Sequence, residues 1–240
     1  RDLDGTGLAT PYAIAAAGEA LADARVDWQS MDLEALRRVS VYVGSGGGNQ
    51  EFTERQYSYY YSGQQKKCSV YVIPSSTLGT LASEISMQYG FRGLRHMFSN
   101  GCTSSTDAIG YAYRAVKYGD AEMVVCGGVD APIAPLTLRG FQLLRIMSTG
   151  SNEAPERASK PFSASRDGFV LAEGAWFFVM ESEDSARSRG AAIYGEIAGY
   201  GATCEAFHRV RLEEVGIEPA RAMDLAMTEA GFKPESCDYI

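Results

Sequence analysis

No stretch of this chain stays apolar for the ~20 residues that a membrane-spanning helix needs. Its first residues carry no signal-peptide pattern. Cysteine is thinly spread: Cys68, Cys102, Cys126, Cys204 and Cys237 are odd in number, far apart, and form no CxxC pair. That argues against a disulfide framework or a zinc site and for reduced thiols in a cytoplasmic compartment. Positive charge is also short, with 22 Lys and Arg against 30 Asp and Glu and a formal net charge of −8. Nucleic acid is therefore not an expected partner, and an acidic partner would need a local basic patch. No low-complexity linker divides the chain, and no short-period repeat runs through it. What is present is 240 residues, 45% hydrophobic and 22% charged, enough for a substantial core in one large domain or two small ones.

Cys102 is the residue that points most directly to chemistry. It lies in Phe98-Ser99-Asn100-Gly101-Cys102-Thr103-Ser104-Ser105-Thr106-Asp107, between a strand-like run and a helix of small residues. A cysteine at the first turn of a helix faces unpaired backbone N–H groups and the positive end of the dipole. Both favour the thiolate, which is the nucleophilic form. Gly101 permits a tight turn and a close approach by substrate. The competing reading is a buried structural cysteine, the commoner fate of this residue type. The polar residues on both sides favour the nucleophile.

The rest of the chain alternates between helical and strand patterns. Helices are expected from Pro11 to Ala24, through the tyrosine-rich Phe52 to Tyr61, from Leu78 to Tyr89 with Ser75 and Ser76 as caps, and from Ala108 to Tyr118. Two more are expected at Ser185 to Arg189 and Pro219 to Ala230. Strands are expected at Val39 to Ser45, Leu94 to Ser99, Met123 to Gly128, Ala175 to Glu181 and Ile193 to Tyr200. The run Met123-Val124-Val125-Cys126 reads as a strand covered on both faces. Leu33 to Arg38 reads as a polar connection. Tyr57, Tyr59, Tyr60 and Tyr61 read as a partly buried helix face, with an interface as the alternative. The alternation implies an α/β layered fold.

Four segments carry a resemblance to a known family. Gly101-Cys102-Thr103-Ser104-Ser105, the Gly119-Asp120-Ala121 turn and Val125-Cys126-Gly127-Gly128-Val129-Asp130 resemble the β-ketoacyl-acyl-carrier-protein synthases in order and spacing. The strongest match is Lys160-Pro161-Phe162-Ser163-Ala164-Ser165-Arg166-Asp167-Gly168-Phe169-Val170-Leu171-Ala172-Glu173-Gly174-Ala175, similar to the family signature except for Ala172 in place of the usual glycine. The resemblance covers nearly the whole chain. Asp107 to Ala112 and Asp130 to Pro135 look closest to the ketosynthase subunits of type II aromatic polyketide synthases, with the fatty-acid enzymes close behind.

The resemblance implies a thiolase-like layered α-β-α-β-α fold, with residues 1 to about 182 as its N-terminal half and about 183 to 240 as the start of the C-terminal half. It implies a decarboxylative Claisen condensation in polyketide or fatty-acid biosynthesis. Cys102 would hold the acyl group as a thioester, and its backbone N–H would help hold the oxyanion. It implies an acyl carrier protein as partner, bringing substrates on phosphopantetheine, and either a homodimer or a heterodimer with a chain-length-factor-like subunit. It implies no metal and no other cofactor. Within it, Val72 and Phe141 fall in the acyl pocket, and Arg145 falls where the incoming arm binds. Core packing is the alternative for Phe141, and an exposed surface arginine for Arg145. Valine at 72, where the fatty-acid enzymes often carry a bulky aromatic, would leave room for a longer or wider chain.

The pattern also departs from the family. The family's condensing histidines lie in motifs of its C-terminal half, and this chain stops at Cys237-Asp238-Tyr239-Ile240, before the first of them. Its only histidines, His96 and His208, fall at positions that the family does not use for condensation. The chain is therefore read as part of a ketosynthase. Val210 replaces a threonine that could bind the arm. Arg166, Asp167 and Glu173 are read as structural, pairing within a buried turn. Gly46 to Gly48 lacks the P-loop lysine and the Rossmann spacing, so it is read as a structural turn. A non-catalytic ketosynthase-like partner and a coenzyme A-dependent thiolase are the other function classes. Cys102 argues against the first, and the signature around Arg166 against the second.

Overall fold

The architecture follows from two strands that have no wet face. In the computed structural model, which describes residues 5–240, β1 (Val39–Gly44) is buried along its whole length and β3 (Met123–Asp130) along most of it. Side chains alternate across a strand. Val41, Val43 and Val125 therefore enter one core, and Tyr42, Val124 and Cys126 enter another on the opposite face. Two flanking strands complete the sheet in the order β2-β1-β3-β4, where β2 is Arg95–Phe98 and β4 is Gly174–Glu181. β2, β1 and β3 are parallel, with Gly44 opposite Phe98 and Gly128; β4 runs antiparallel, with Asp130 opposite Gly174.

Helices cover both faces. On the first lie α1 (Ala9–Asp23) and, farther along the chain, the helix Thr80–Tyr89, which contribute Leu21, Leu81 and Ile85. Between them come α2 (Leu33–Arg37), α3 (Gln50–Tyr61) and the short α4 (Val72–Ser76), which makes Thr80–Tyr89 α5. On the second face lies α6 (Ser104–Lys117), whose Ala108, Ala112 and Ala115 pack on the sheet. Small residues let the helix come close: a Cβ on Gly44 would fall 2.3 Å from the Ser104 carbonyl. After β3 come α7 (Pro135–Leu143), then β4, α8 (Glu183–Ser188) and α9 (Ile217–Ala230). Residues 193–201 and α9 lie on the far side of α6: the Tyr113 hydroxyl donates to Ala198 O at 2.9 Å, and Lys117 pairs with Glu229 at 3.1 Å.

Several expectations need correction. Leu33 to Arg37 is a helix, because Asp32 caps it by accepting from the Ala35 N–H at 2.8 Å. Ser75 and Ser76 do not cap α5 but end α4, and Gly79 precedes α5 with no side-chain cap. The tyrosine helix exists, but Tyr57, Tyr60 and Tyr61 are exposed. It is anchored instead by Phe52 and Gln56, the latter accepting from the Ser69 N–H at 2.8 Å. Ile193 to Tyr200 forms no strand, because no other strand among the described residues offers it a ladder. Residues 1–4, the start of the expected first half, lie outside the described residues.

Candidate active site

The turn that carries Cys102 is assembled by the close of β2 and the start of α6. Gly101, Cys102 and Thr103 form a single 3-10 turn that leads directly into α6. Gly101 has φ 72°, and a Cβ there would meet nothing within 4 Å. Glycine is thus needed for the backbone conformation and not for space. Ser104 staples the turn: its hydroxyl donates to Gly101 O at 2.6 Å and accepts the Asn100 N–H at 2.9 Å. Cys102 is exposed.

A cavity of about 270 Å³ opens at this point. Cys102, Ser105 and Ile109 form one side, and the end of β3 from Gly127 to Asp130 forms another. Ala172, Glu173, Trp176 and Phe178 close it. Trp176 and Phe178 are 71% and 57% exposed, because they project from β4 on the side of α6 beyond the helix's cover. The site is therefore an open, largely apolar recess with one thiol at its edge. That arrangement suits a hydrophobic acyl group better than a charged metabolite. Among the described residues, no group of three or more His, Cys, Asp or Glu could hold a metal ion.

Asp130 explains the glycine-rich turn. Its carboxylate accepts from the N–H groups of Gly46 and Gly47, at 3.1 and 3.0 Å, and from Ser45 Oγ at 2.8 Å. The donors that a phosphate would use are already occupied by the protein's own anion, in agreement with the structural reading of Gly46 to Gly48. Asp167 does the same for the signature segment. It accepts from the Gly150 and Thr149 N–H groups at 2.9 and 3.2 Å and from Ser148 Oγ at 2.8 Å. These bonds, chiefly that from Gly150, hold its carboxyl below the ordinary carboxylate value. Glu173 accepts from the Ile133 N–H at 3.0 Å, and Arg166 donates to Ser163 O at 2.9 Å. Their structural role is as expected, but Arg166 and Glu173 bond backbone groups instead of charged partners, and Arg166 and Asp167 are exposed, so the turn is held by hydrogen bonds and not by buried pairing.

The other sequence candidates lie on different elements. Val72 opens α4 and is half-buried. Phe141 sits in α7 with its ring 6.5 Å from that of Phe169. Arg145 follows α7 with φ 58°, exposed, its N–H bonded to Gln142 O at 3.0 Å. None of the three lines the Cys102 cavity. Neither do the histidines. His96 is exposed on β2, with its ring 5.1 Å from that of Tyr42, and His208 Nδ1 accepts the N–H groups of Val210 and Arg211, both at 3.0 Å, closing its own loop.

Sequence reasoning missed Trp176, Phe178 and Asp107. Trp176 and Phe178 read only as strand residues, and nothing local marks them as cavity walls. Asp107, in the first turn of α6, is 7% exposed and bonded to Asn100, Thr103 and Tyr200. An acidic residue there is ordinary dipole chemistry by sequence.

Comparison with known proteins agrees with this geometry. The family model for the beta-ketoacyl synthase N-terminal domain matches residues 3–186. The 3-oxoacyl-(acyl-carrier-protein) synthase 2 of Rhizobium meliloti is 38% identical over 95% of this chain and 54% of its own length. The enzyme of the same name from Staphylococcus aureus is 36% identical over 96% of this chain and 56% of its own length. The chain thus spans about half the length of these curated relatives. Among solved structures, AntDE:AntF, a type II PKS acyl-carrier protein in complex with its ketosynthase bound to the hexaketide, superposes with a TM-score of 0.88. It is 29% identical and covers 99% of this chain and 59% of that one. The layered α/β arrangement of sheet and helices is accordingly the ketosynthase, thiolase-like fold.

Proposed function

We propose, on the premise that this chain belongs to the β-ketoacyl synthase family through its N-terminal domain, that it is the nucleophile-bearing part of a condensing enzyme of polyketide or fatty-acid biosynthesis. The observation that carries this reading is the exposed Cys102 thiol, presented at the head of α6 on the rim of an apolar recess. The thiolate attacks the carbonyl of an acyl thioester on the carrier protein. The tetrahedral oxyanion is held by backbone N–H groups at the turn, and the carrier's thiol leaves, so one thioester replaces another. A malonyl-carrier thioester then loses carbon dioxide. The resulting carbanion attacks the Cys102 thioester, forms the new carbon–carbon bond and releases the cysteine thiolate. Neither histidine lines the cavity, so acyl acceptance is assigned to this part and condensation to the whole enzyme.

In this reading the reaction uses no metal and no cofactor beyond the phosphopantetheine that carries the substrates. Arg145, an exposed cation beyond α7, is assigned to the phosphate of that arm. Phe141 and Val72 do not line the Cys102 recess and are assigned to a part of the acyl pocket beyond it. A dimer, with a second copy or a chain-length-factor-like subunit, fits the outer edge of β2, which no other strand among the described residues pairs, because a strand edge left open is a template for pairing. Residues 183–240 are taken as the start of the second half. A cytoplasmic location fits the free thiols, and no described helix is long and apolar enough to cross a membrane.

The test is intact-protein mass spectrometry after mixing with an acyl-carrier-protein thioester. Wild type should gain the mass of the acyl group, and Cys102→Ala should gain nothing. An adduct of equal yield on both proteins, or on neither, would overturn the assignment.

A further inference from the structure

The nucleophile turn has almost no packing of its own. Gly101, Cys102 and Thr103 are all exposed, and a Cβ on Gly101 would touch nothing. Hydrogen bonds must therefore hold it, and two of them converge on one buried carboxylate. Asp107 Oδ2 accepts from Asn100 Nδ2 at 2.7 Å and from Thr103 Oγ1 at 3.2 Å, the residues on either side of Gly101-Cys102. Its other oxygen, Oδ1, accepts the hydroxyl of Tyr200. A buried carboxylate with a free oxygen would be costly, and here both oxygens are taken.

Tyr200 is fixed independently of that bond. Its ring lies on Gly110 of α6, where a Cβ would come within 2.2 Å of it. The Arg114 guanidinium stands 5.1 Å from the ring centre. The Tyr200 N–H donates to Glu229 at 3.1 Å, and Glu229 is held in turn by Lys117. Burial, then the bond to Asp107, pushes the phenol above its usual range, so it stays a donor.

We propose that Asp107 is a positioning residue for Cys102 and that Tyr200 holds it in that role, so that the seating of residues 193–201 on α6 sets the geometry of the nucleophile turn. The proposal rests on Cys102 being the acyl acceptor. Its consequence is that a residue of the segment beyond the sheet governs the reactivity of a thiol at the sheet's edge, with no contact between them.

The test is the rate of carboxamidomethylation by iodoacetamide at Cys102 relative to exposed Cys237 in the same full chain, read by peptide mass spectrometry, with thermal unfolding of each variant alongside. Asp107→Ala should lower this ratio about tenfold, because the turn loses the bonds to Asn100 and Thr103 that hold Cys102 in one geometry. Asp107→Asn can accept from Asn100 and donate to the Tyr200 oxygen, so it should stay within about threefold of wild type. Tyr200→Phe keeps the ring on Gly110, loses only the hydroxyl and should lie between the two. A folded Asp107→Ala with an unchanged ratio would overturn the proposal. So would equal acceleration in the Ala and Asn variants, which would mark an effect of charge alone. Should Asp107→Ala fail to fold, an unchanged ratio in Tyr200→Phe overturns it instead. Failure of wild type to accept an acyl group from the carrier, with these ratios as expected, would remove the condensing reading and leave the positioning role standing.

Discussion

Cys102 and Cys126 have the same side chain and opposite chemistry. Cys126 points from β3 into the core beneath α6, and burial pushes its thiol up to about 12. At neutral pH it is a small hydrophobe. Cys102 stands exposed in a turn that opens a helix. A maleimide at neutral pH should therefore modify Cys102 promptly and leave Cys126 untouched until the chain is unfolded. Modification of Cys126 in the folded protein at a comparable rate would contradict the packing described. The distinction was legible in sequence: Cys126 sits in an unbroken apolar run, and Cys102 sits between Asn-Gly and Thr-Ser-Ser. The partner of Asp107 was not legible, because Tyr200 is 93 positions away and its hydroxyl finds the carboxylate only after two elements pack.

At the scale of elements, the loop after α7 shows a carboxylate doing the work of a core. Asp167 gathers Ser148, Thr149 and Gly150, with Lys160 3.8 Å away, while exposed itself. Its folded-state carboxyl lies below the ordinary value, so the ionised form is the one that the fold favours. The resulting stability is present above the unfolded carboxylate range and is lost as pH falls through the folded value. Asp167→Asn should therefore melt below wild type at pH 7, and the gap should close progressively below about pH 4. A gap independent of pH would assign the loop to packing alone. The strand patterns of β1 and β3 were legible because each runs largely apolar where both faces are covered, and that of β4 because of its apolar run, although one of its faces is left partly open. Ile193 to Tyr200 carries the same pattern and forms no ladder. A strand needs a neighbour, and composition does not supply one.

For the molecule as a whole, the attachment of its last fifth, residues 193–240, is the least obvious feature. Gly199 and Gly201 let residues 193–201 approach α9 so closely that a Cβ would fall 2.1 Å from Ala226 O and 2.0 Å from Ala222 O. Backbone atoms on both sides leave nothing to move aside. Gly201→Ala should cost about 1–3 kcal/mol of local stability. Hydrogen exchange should show α9 losing protection while β1 and β3 keep theirs; equal loss across all three would mean that the chain unfolds as one unit instead. The sequence by itself determined the class of fold, the places of β1 to β4 and of α1, α3, α5, α6, α8 and α9, and the placing of Cys102 at a helix start, because these depend on local periodicity and turn residues. Only the tertiary structure decided that Asp130 fills the glycine turn, that Trp176 and Phe178 wall the recess, and that Val72, Phe141 and Arg145 stand away from it. These are contacts between residues distant along the chain. They arise when sheet and helices close on one another, and no local pattern of residues encodes them.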